Sequence, residues 1–122
     1  MKRKPTKTYE ELIVWQKAHQ MVLQIYKFTL SFPDNEKYGL VSQIRRAAVS
    51  VPANIAEGYK RRTKPDKRRL MNIAQGSLEE CRYYLTLAND LNYGDTIKIK
   101  EQLEEISKML EAYVGSLLNS GS

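Results

Sequence analysis

Ser42-Gln43-Ile44-Arg45-Arg46-Ala47-Ala48-Val49-Ser50-Val51-Pro52-Ala53-Asn54-Ile55-Ala56-Glu57-Gly58 is the stretch whose reading decides the fold. Leu40, Ile44, Ala47, Val51 and Ile55 recur at steps of three and four, which stacks them on one helix face. Gln43, Arg46, Ser50, Asn54, Glu57 and Arg61 repeat at the same steps and give the helix a polar, hydrogen-bonding seam. Pro52 lies inside the pattern, where it removes one backbone donor and crowds the carbonyl four residues back, so a bend near Ala48 is expected.

The apolar periodicity continues on both sides of this stretch. Val14, Ala18, Met21, Ile25, Phe28 and Phe32 form a first stripe, widened by Trp15, Val22 and Tyr26. Leu70, Ala74, Ser77, Cys81, Tyr84, Ala88 and Leu91 form a third, and Ile99, Leu103, Ile106, Leu110, Tyr113 and Leu117 a fourth with heptad spacing. The breaks carry turn chemistry: Pro33-Asp34-Asn35, then Thr63-Lys64-Pro65-Asp66 with Thr63 placed to cap a helix, then Asn92-Tyr93-Gly94-Asp95. The expected fold is all-α, an antiparallel up-down-up-down four-helix bundle with helices at about 9–32, 36–61, 64–91 and 96–118. Residues 1–8 read as a flexible basic arm, 9–118 as the bundle and 119–122 as a frayed tail. Gly76, in the middle of the third helix, suggests a close helix contact.

Gln43 through Gly58 resembles the signature of the four-helix-bundle proteins encoded in intervening sequences of bacterial 23S rRNA genes. Leu12-Ile13-Val14-Trp15-Gln16-Lys17-Ala18, Phe32-Pro33, Glu36-Lys37-Tyr38-Gly39-Leu40 and Ile73-Ala74-Gln75-Gly76-Ser77-Leu78-Glu79-Glu80 are similar to the same family. That family is distantly related to the accessory variability proteins of diversity-generating retroelements, basic pentamers that work with a reverse transcriptase and nucleic acid. The resemblance implies a ring-shaped homopentamer without established enzymatic activity.

Composition narrows the chemistry. The 122 residues suit one domain, and the chain has no apolar run of membrane-spanning length and no signal-peptide core, so a cytoplasmic location is expected. His19 is the sole histidine and Cys81 the sole cysteine. Di-iron bundles need a Glu-x-x-His motif on each of two helices, and helical ribonucleases that pair Arg with a nearby His find no match either. No catalytic residue, metal site or cofactor is therefore expected. Glu57, Glu79 and Glu80 read as salt-bridge partners for Arg45 and Arg46 rather than as acid-base groups. Arg46 and Glu57 stand eleven residues apart, about 16 Å along a helix, so their partners should come from other helices or other subunits.

Charge is the strongest functional signal. Residues 1–69 hold 16 basic and 6 acidic side chains, whereas residues 70–122 hold 4 and 8, giving +10 and −4. Lys60, Arg61, Arg62, Lys64, Lys67, Arg68 and Arg69 put seven cations within ten residues. In the expected topology they share one pole with Lys2, Arg3, Lys4 and Lys7 of the arm, opposite Asp34, Glu36, Asp90 and Asp95. Such segregation fits a phosphate-backbone binder, with Arg61, Arg62, Arg68 and Arg69 as the contacts; a merely solvated surface is the alternative. The expected function is a non-enzymatic homo-oligomer that binds RNA or DNA without sequence specificity. The rival is a scaffold whose basic pole docks an acidic protein partner.

Overall fold

The computed structural model describes residues 7–119. Four helices account for most of them: α1 (Ile13–Thr29), α2 (Leu40–Lys60), α3 (Lys64–Asp90) and α4 (Ile97–Asn119). A 3-10 turn, Tyr9–Glu11, precedes α1, and another, Asp34–Glu36, lies between α1 and α2. Among the described residues there is no strand. The arm cations Lys2, Arg3 and Lys4 and the end of the tail lie outside the described residues.

Helix α1 packs on α2 and α4, and α3 packs on α2 and α4, so the four helices close around one core. Contacts fix their directions. Along the α3–α4 seam Gln75 meets Ser107, Arg82 meets Glu104 and Thr86 meets Lys100, so numbering rises on one helix as it falls on the other. Ser50 meets Ser77 and Gly58 meets Met71 in the same opposed sense on α2 and α3. At one pole Phe32, Leu40 and Ala88 form a small apolar cluster that joins the end of α1, the start of α2 and the end of α3.

The sequence stripes fill the core, except that Leu91, at the end of the third, is exposed just past the last turn of α3. Ala18, Met21, Ile25, Ile44, Val51, Ile55, Ala74, Cys81, Leu103, Ile106 and Leu110 are fully enclosed. Burying side chains of this kind is worth roughly 1.5–3 kcal/mol each for the larger aliphatic ones, which is what holds four helices together against chain entropy. Pro52 is buried in an α2 that runs unbroken from Leu40 to Lys60. Within the widened α1 stripe, Val22 is buried and Trp15 packs on the core, while Tyr26 remains exposed.

Three boundaries depart from expectation for local reasons. Leu12 adopts an extended conformation (φ −72°, ψ 126°) between the first turn and α1, so the first helix begins at Ile13. The segment 36–39 forms a turn instead of the start of α2, and the Glu36 carboxylate accepts from the Leu40 amide (3.3 Å), taking the capping role that Gly39 cannot fill. After α3 Asn92 takes the left-handed conformation that closes the helix (φ 63°), with the Tyr93 amide donating to the Ala88 carbonyl (2.9 Å). Thr63 accepts from the Asp66 amide at 3.3 Å, and Asp95 accepts from the Ile97 amide at 3.0 Å, as their positions before α3 and α4 suggest.

Gly76 is a correction. A Cβ built there has no atom within 4 Å, so no neighbouring helix explains the glycine within the subunit. The close approach falls at Gly58 instead, where an added Cβ would lie 2.5 Å from Met71 Cε and 3.2 Å from Leu70 Cβ.

Candidate nucleic-acid interface

The seven-cation run folds into the corner where α2 turns into α3. A helix ends with carbonyls lacking intrahelical partners, and Lys67 answers two of them: its ammonium donates to the Tyr59 carbonyl (2.7 Å) and the Gly58 carbonyl (3.4 Å). The same ammonium lies 5.6 Å from the centre of the Tyr59 ring. Partial burial lowers the pKa of Lys67 from its ordinary value. This lysine is a cap for α2, its ammonium engaged within the subunit.

The other cations of the run differ from one another. Arg61 is exposed but forms an ion pair with Glu57, one helical turn back on its own helix. Within the subunit Glu57 thus finds its partner on its own helix and not on another one. Lys64 and Arg68 are half-buried, whereas Lys60, Arg62 and Arg69 are exposed and, among the described residues, enter no ion pair. Asp66 is the sole carboxylate between residues 60 and 69. Lys7, the one arm cation among the described residues, is exposed, and its amide donates to Glu11 (2.9 Å).

The polar seam of α2 divides in two. Ser50, Asn54 and Ser77 form a hydrogen-bonded knot between α2 and α3: the two hydroxyls are 2.8 Å apart, and the Asn54 amide donates to Ser50 Oγ (2.9 Å) and to the Ser50 carbonyl (2.7 Å). Gln43, Arg46 and Glu57 face outward and are exposed. Arg45 satisfies no carboxylate. Its Nε donates to Thr29 Oγ1 (2.9 Å), a terminal nitrogen donates to the Tyr26 carbonyl (3.3 Å), and its guanidinium stacks 4.4 Å from the Tyr26 ring centre.

The carboxylates lie elsewhere. Arg82 binds Glu104 at 2.8 Å and Glu79 at 3.4 Å, and the Glu104 bond raises its pKa further. At the pole away from the basic corner, the Tyr93 hydroxyl donates to Glu36 (2.8 Å), which raises the tyrosine's pKa and ties the turn before α2 to the turn before α4. Cys81 is enclosed, and burial with the nearby Glu80 charge pushes its thiol up to about 12. His19 is exposed and stacked on Trp15 at 5.1 Å. Among the described residues no three metal-ligating side chains stand together, and no helix is long and apolar enough to cross a membrane.

Besides the stacking of Arg45 on Tyr26, sequence reasoning missed the inward turn of Lys67 and the reciprocal pair in which Gln75 Nε2 donates to the Ser107 carbonyl (2.9 Å) while Ser107 Oγ donates to Gln75 Oε1 (3.0 Å). None of these leaves a periodic signal. The turn of Lys67 could be inferred only from its position, one turn into the helix after the corner.

Fold and corner together define a small basic four-helix bundle with its polar chemistry on helix surfaces. The model of the 23S rRNA-intervening sequence proteins matches residues 10–112, and the chain belongs to that family. A crystal structure of a protein of unknown function from the S23 ribosomal protein family of Bacteroides thetaiotaomicron is similar, at 26% identity and a TM-score of 0.75. The match covers 84% of this chain and 98% of that one. No curated protein matches.

Proposed function

We propose that this protein is a non-enzymatic homo-oligomer, five subunits being the number the family resemblance implies, that holds RNA or DNA by its phosphate backbone at the α2–α3 corner. The observation that carries the reading is the exposure of Lys60, Arg62 and Arg69 in a run where Asp66 is the sole carboxylate between residues 60 and 69, while Lys67 serves as a cap and Arg61 is partly neutralised by Glu57. Exposed cations without internal partners lose little on meeting a phosphate and release condensed counterions when they do. Guanidinium groups add bidentate geometry. Assembly is supported by the unpartnered apolar residues Leu23 and Leu30 outside α1, and by the groove of about 540 Å³ between α3 and α4 onto which Gly76 and Gly115 open. A ridge on one side and a groove on another suit head-to-tail contacts, the kind that close into rings. A ring repeats the basic corner around its axis, so weak contacts add through effective concentration.

The test is a mobility-shift series with mixed-sequence RNA and DNA, comparing the native protein with an Arg62→Ser, Arg68→Ser, Arg69→Ser variant whose melt and mass by light scattering are unchanged. Native affinity should fall linearly with log salt, with a slope near −0.9 per phosphate contact on duplex or about −0.7 on single strands. The variant should lose most of its binding. Undiminished binding by the folded variant would overturn the reading, and an acidic protein bound in preference to either nucleic acid would favour the scaffold instead.

A further inference from the structure

The basic corner leaves a second set of cations unused. Lys37, Arg45 and Arg46 gather with Tyr26, Tyr38 and Val49 around an open groove of about 630 Å³, between the end of α1 and the first half of α2. Arg46 and Lys60 are fourteen positions apart on α2, roughly 21 Å of helix rise, so the groove is separate from the corner.

The groove combines held and open groups. Arg45 is fixed by Thr29, by the Tyr26 carbonyl and by the Tyr26 ring, and Thr29 is itself buried and donates to the Ile25 carbonyl (2.9 Å). This anchoring uses no carboxylate, and among the described residues neither Arg45, Arg46 nor Lys37 forms an ion pair. Tyr38 is 87% exposed, with the Lys37 ammonium 5.5 Å from its ring centre. An aromatic ring held in water beside a cation gains little for the fold. Three cations facing an open space and two aromatic faces call for a ligand that is both anionic and flat. The volume lies in the range of small-ligand sites, which run from about 300 to 1,000 Å³. An inorganic anion would use the cations and leave the rings idle, and an acidic peptide would do the same.

We propose that this groove binds an unpaired nucleotide of single-stranded RNA or DNA. The base stacks on Tyr38, against the wall made by Tyr26 and Arg45, while Arg46 and Lys37 hold the adjoining phosphates. Stacking on an aromatic side chain tolerates every base, because each has a π face, so the site favours single strands without selecting sequence. The inference goes beyond the corner reading and does not depend on it.

The test is fluorescence anisotropy with the full-length protein at low salt. The probes are a short labelled oligoadenylate, an abasic chain of equal length and charge, and a duplex; unlabelled adenosine monophosphate and oligoglutamate serve as competitors. The native protein should prefer the oligoadenylate over the abasic chain by on the order of tenfold. Tyr38→Ala should bring the two affinities together, Tyr38→Phe should restore the gap, and Arg46→Gln should weaken both ligands. The corner variant should bind every polyanion less well yet keep the ratio, which separates failure at one site from failure at the other. Displacement by adenosine monophosphate as effective as by the oligoadenylate would support the nucleotide chemistry and assign the free nucleotide as its source. Equal affinity of the native protein for oligoadenylate and abasic chain, a preference that survives Tyr38→Ala, or oligoglutamate competing as well as the oligoadenylate would overturn the proposal.

Discussion

Two glycines lie inside helices for opposite reasons, and alanine substitution should separate them. Gly76 costs α3 about 0.8–1.0 kcal/mol relative to Ala, and a Cβ there meets no atom within 4 Å. Gly76→Ala should therefore stabilise the subunit by nearly that amount, raising Tm by roughly 3–6 °C for a domain of this size. Gly58→Ala has the same propensity gain, but its Cβ would press on Met71 Cε at 2.5 Å and Leu70 Cβ at 3.2 Å. Overpacking of this kind costs about 1–3 kcal/mol, so the net effect should be a loss of up to about 2 kcal/mol. Circular-dichroism melts across a dilution series provide the assay, since an assembling protein shows a concentration-dependent Tm and a lone subunit does not. If the α3–α4 groove is covered in the oligomer, Gly76→Ala should stabilise the dilute subunit while lowering the mass seen by light scattering at higher concentration. A dilute Gly76→Ala protein that melts below the native one would refute the open-groove argument. A Gly58→Ala protein with the full propensity gain would refute the close α2–α3 approach.

Two further outcomes follow from the polar groups. Ser77→Ala should cost about 1 kcal/mol, because it removes a buried hydroxyl from the inter-helix knot, whereas Glu57→Ala should cost about 0.5 kcal/mol or less, because it breaks an exposed pair one turn apart; urea titrations that reverse this order would contradict the burial. The folded state keeps the Cys81 proton up to about pH 12 while the unfolded chain releases it near 9, so stability should fall as pH rises above about 9, by at most about 1.4 kcal/mol per unit from this group. The decline should be shallower in Cys81→Ala, and equal slopes would show that the thiol plays no part.

The helices were legible wherever side chains had to alternate between core and water. The α2 stripe from Leu40 to Ile55 is buried throughout, and so are Ile99, Leu103, Ile106 and Leu110 of α4. Thr63 and Pro65 marked the start of α3 because a cap and a first-turn proline act locally. Illegible were the features set by which neighbour happens to be near. Arg45 stacks on Tyr26, nineteen positions away, where no period operates. In the run of seven cations nothing distinguishes Lys67 by type; only its place opposite the last carbonyls of α2 makes it a cap. The polar seam was read as one unit from its spacing, yet small tilts of a helix decide which polar side chains face a partner, so Ser50 and Asn54 turned inward while Arg46 and Glu57 did not.

The Ser50–Asn54–Ser77 knot also constrains how these helices can slide and how their sequence can drift. Apolar rows on α2 and α3 are nearly interchangeable from one turn to the next, so slipping α3 by one turn, about 5.4 Å, would still leave oily surface against oily surface. It would also break the contact between the Ser77 and Ser50 hydroxyls, which are 2.8 Å apart. The knot therefore acts as a detent that selects one sliding position out of several otherwise tolerable ones. Loss of both hydroxyls together should cost less than the sum of the single losses, because each single loss already breaks their shared contact, and the close approach at Gly58 and the Lys67 cap would then be left to keep the two helices aligned.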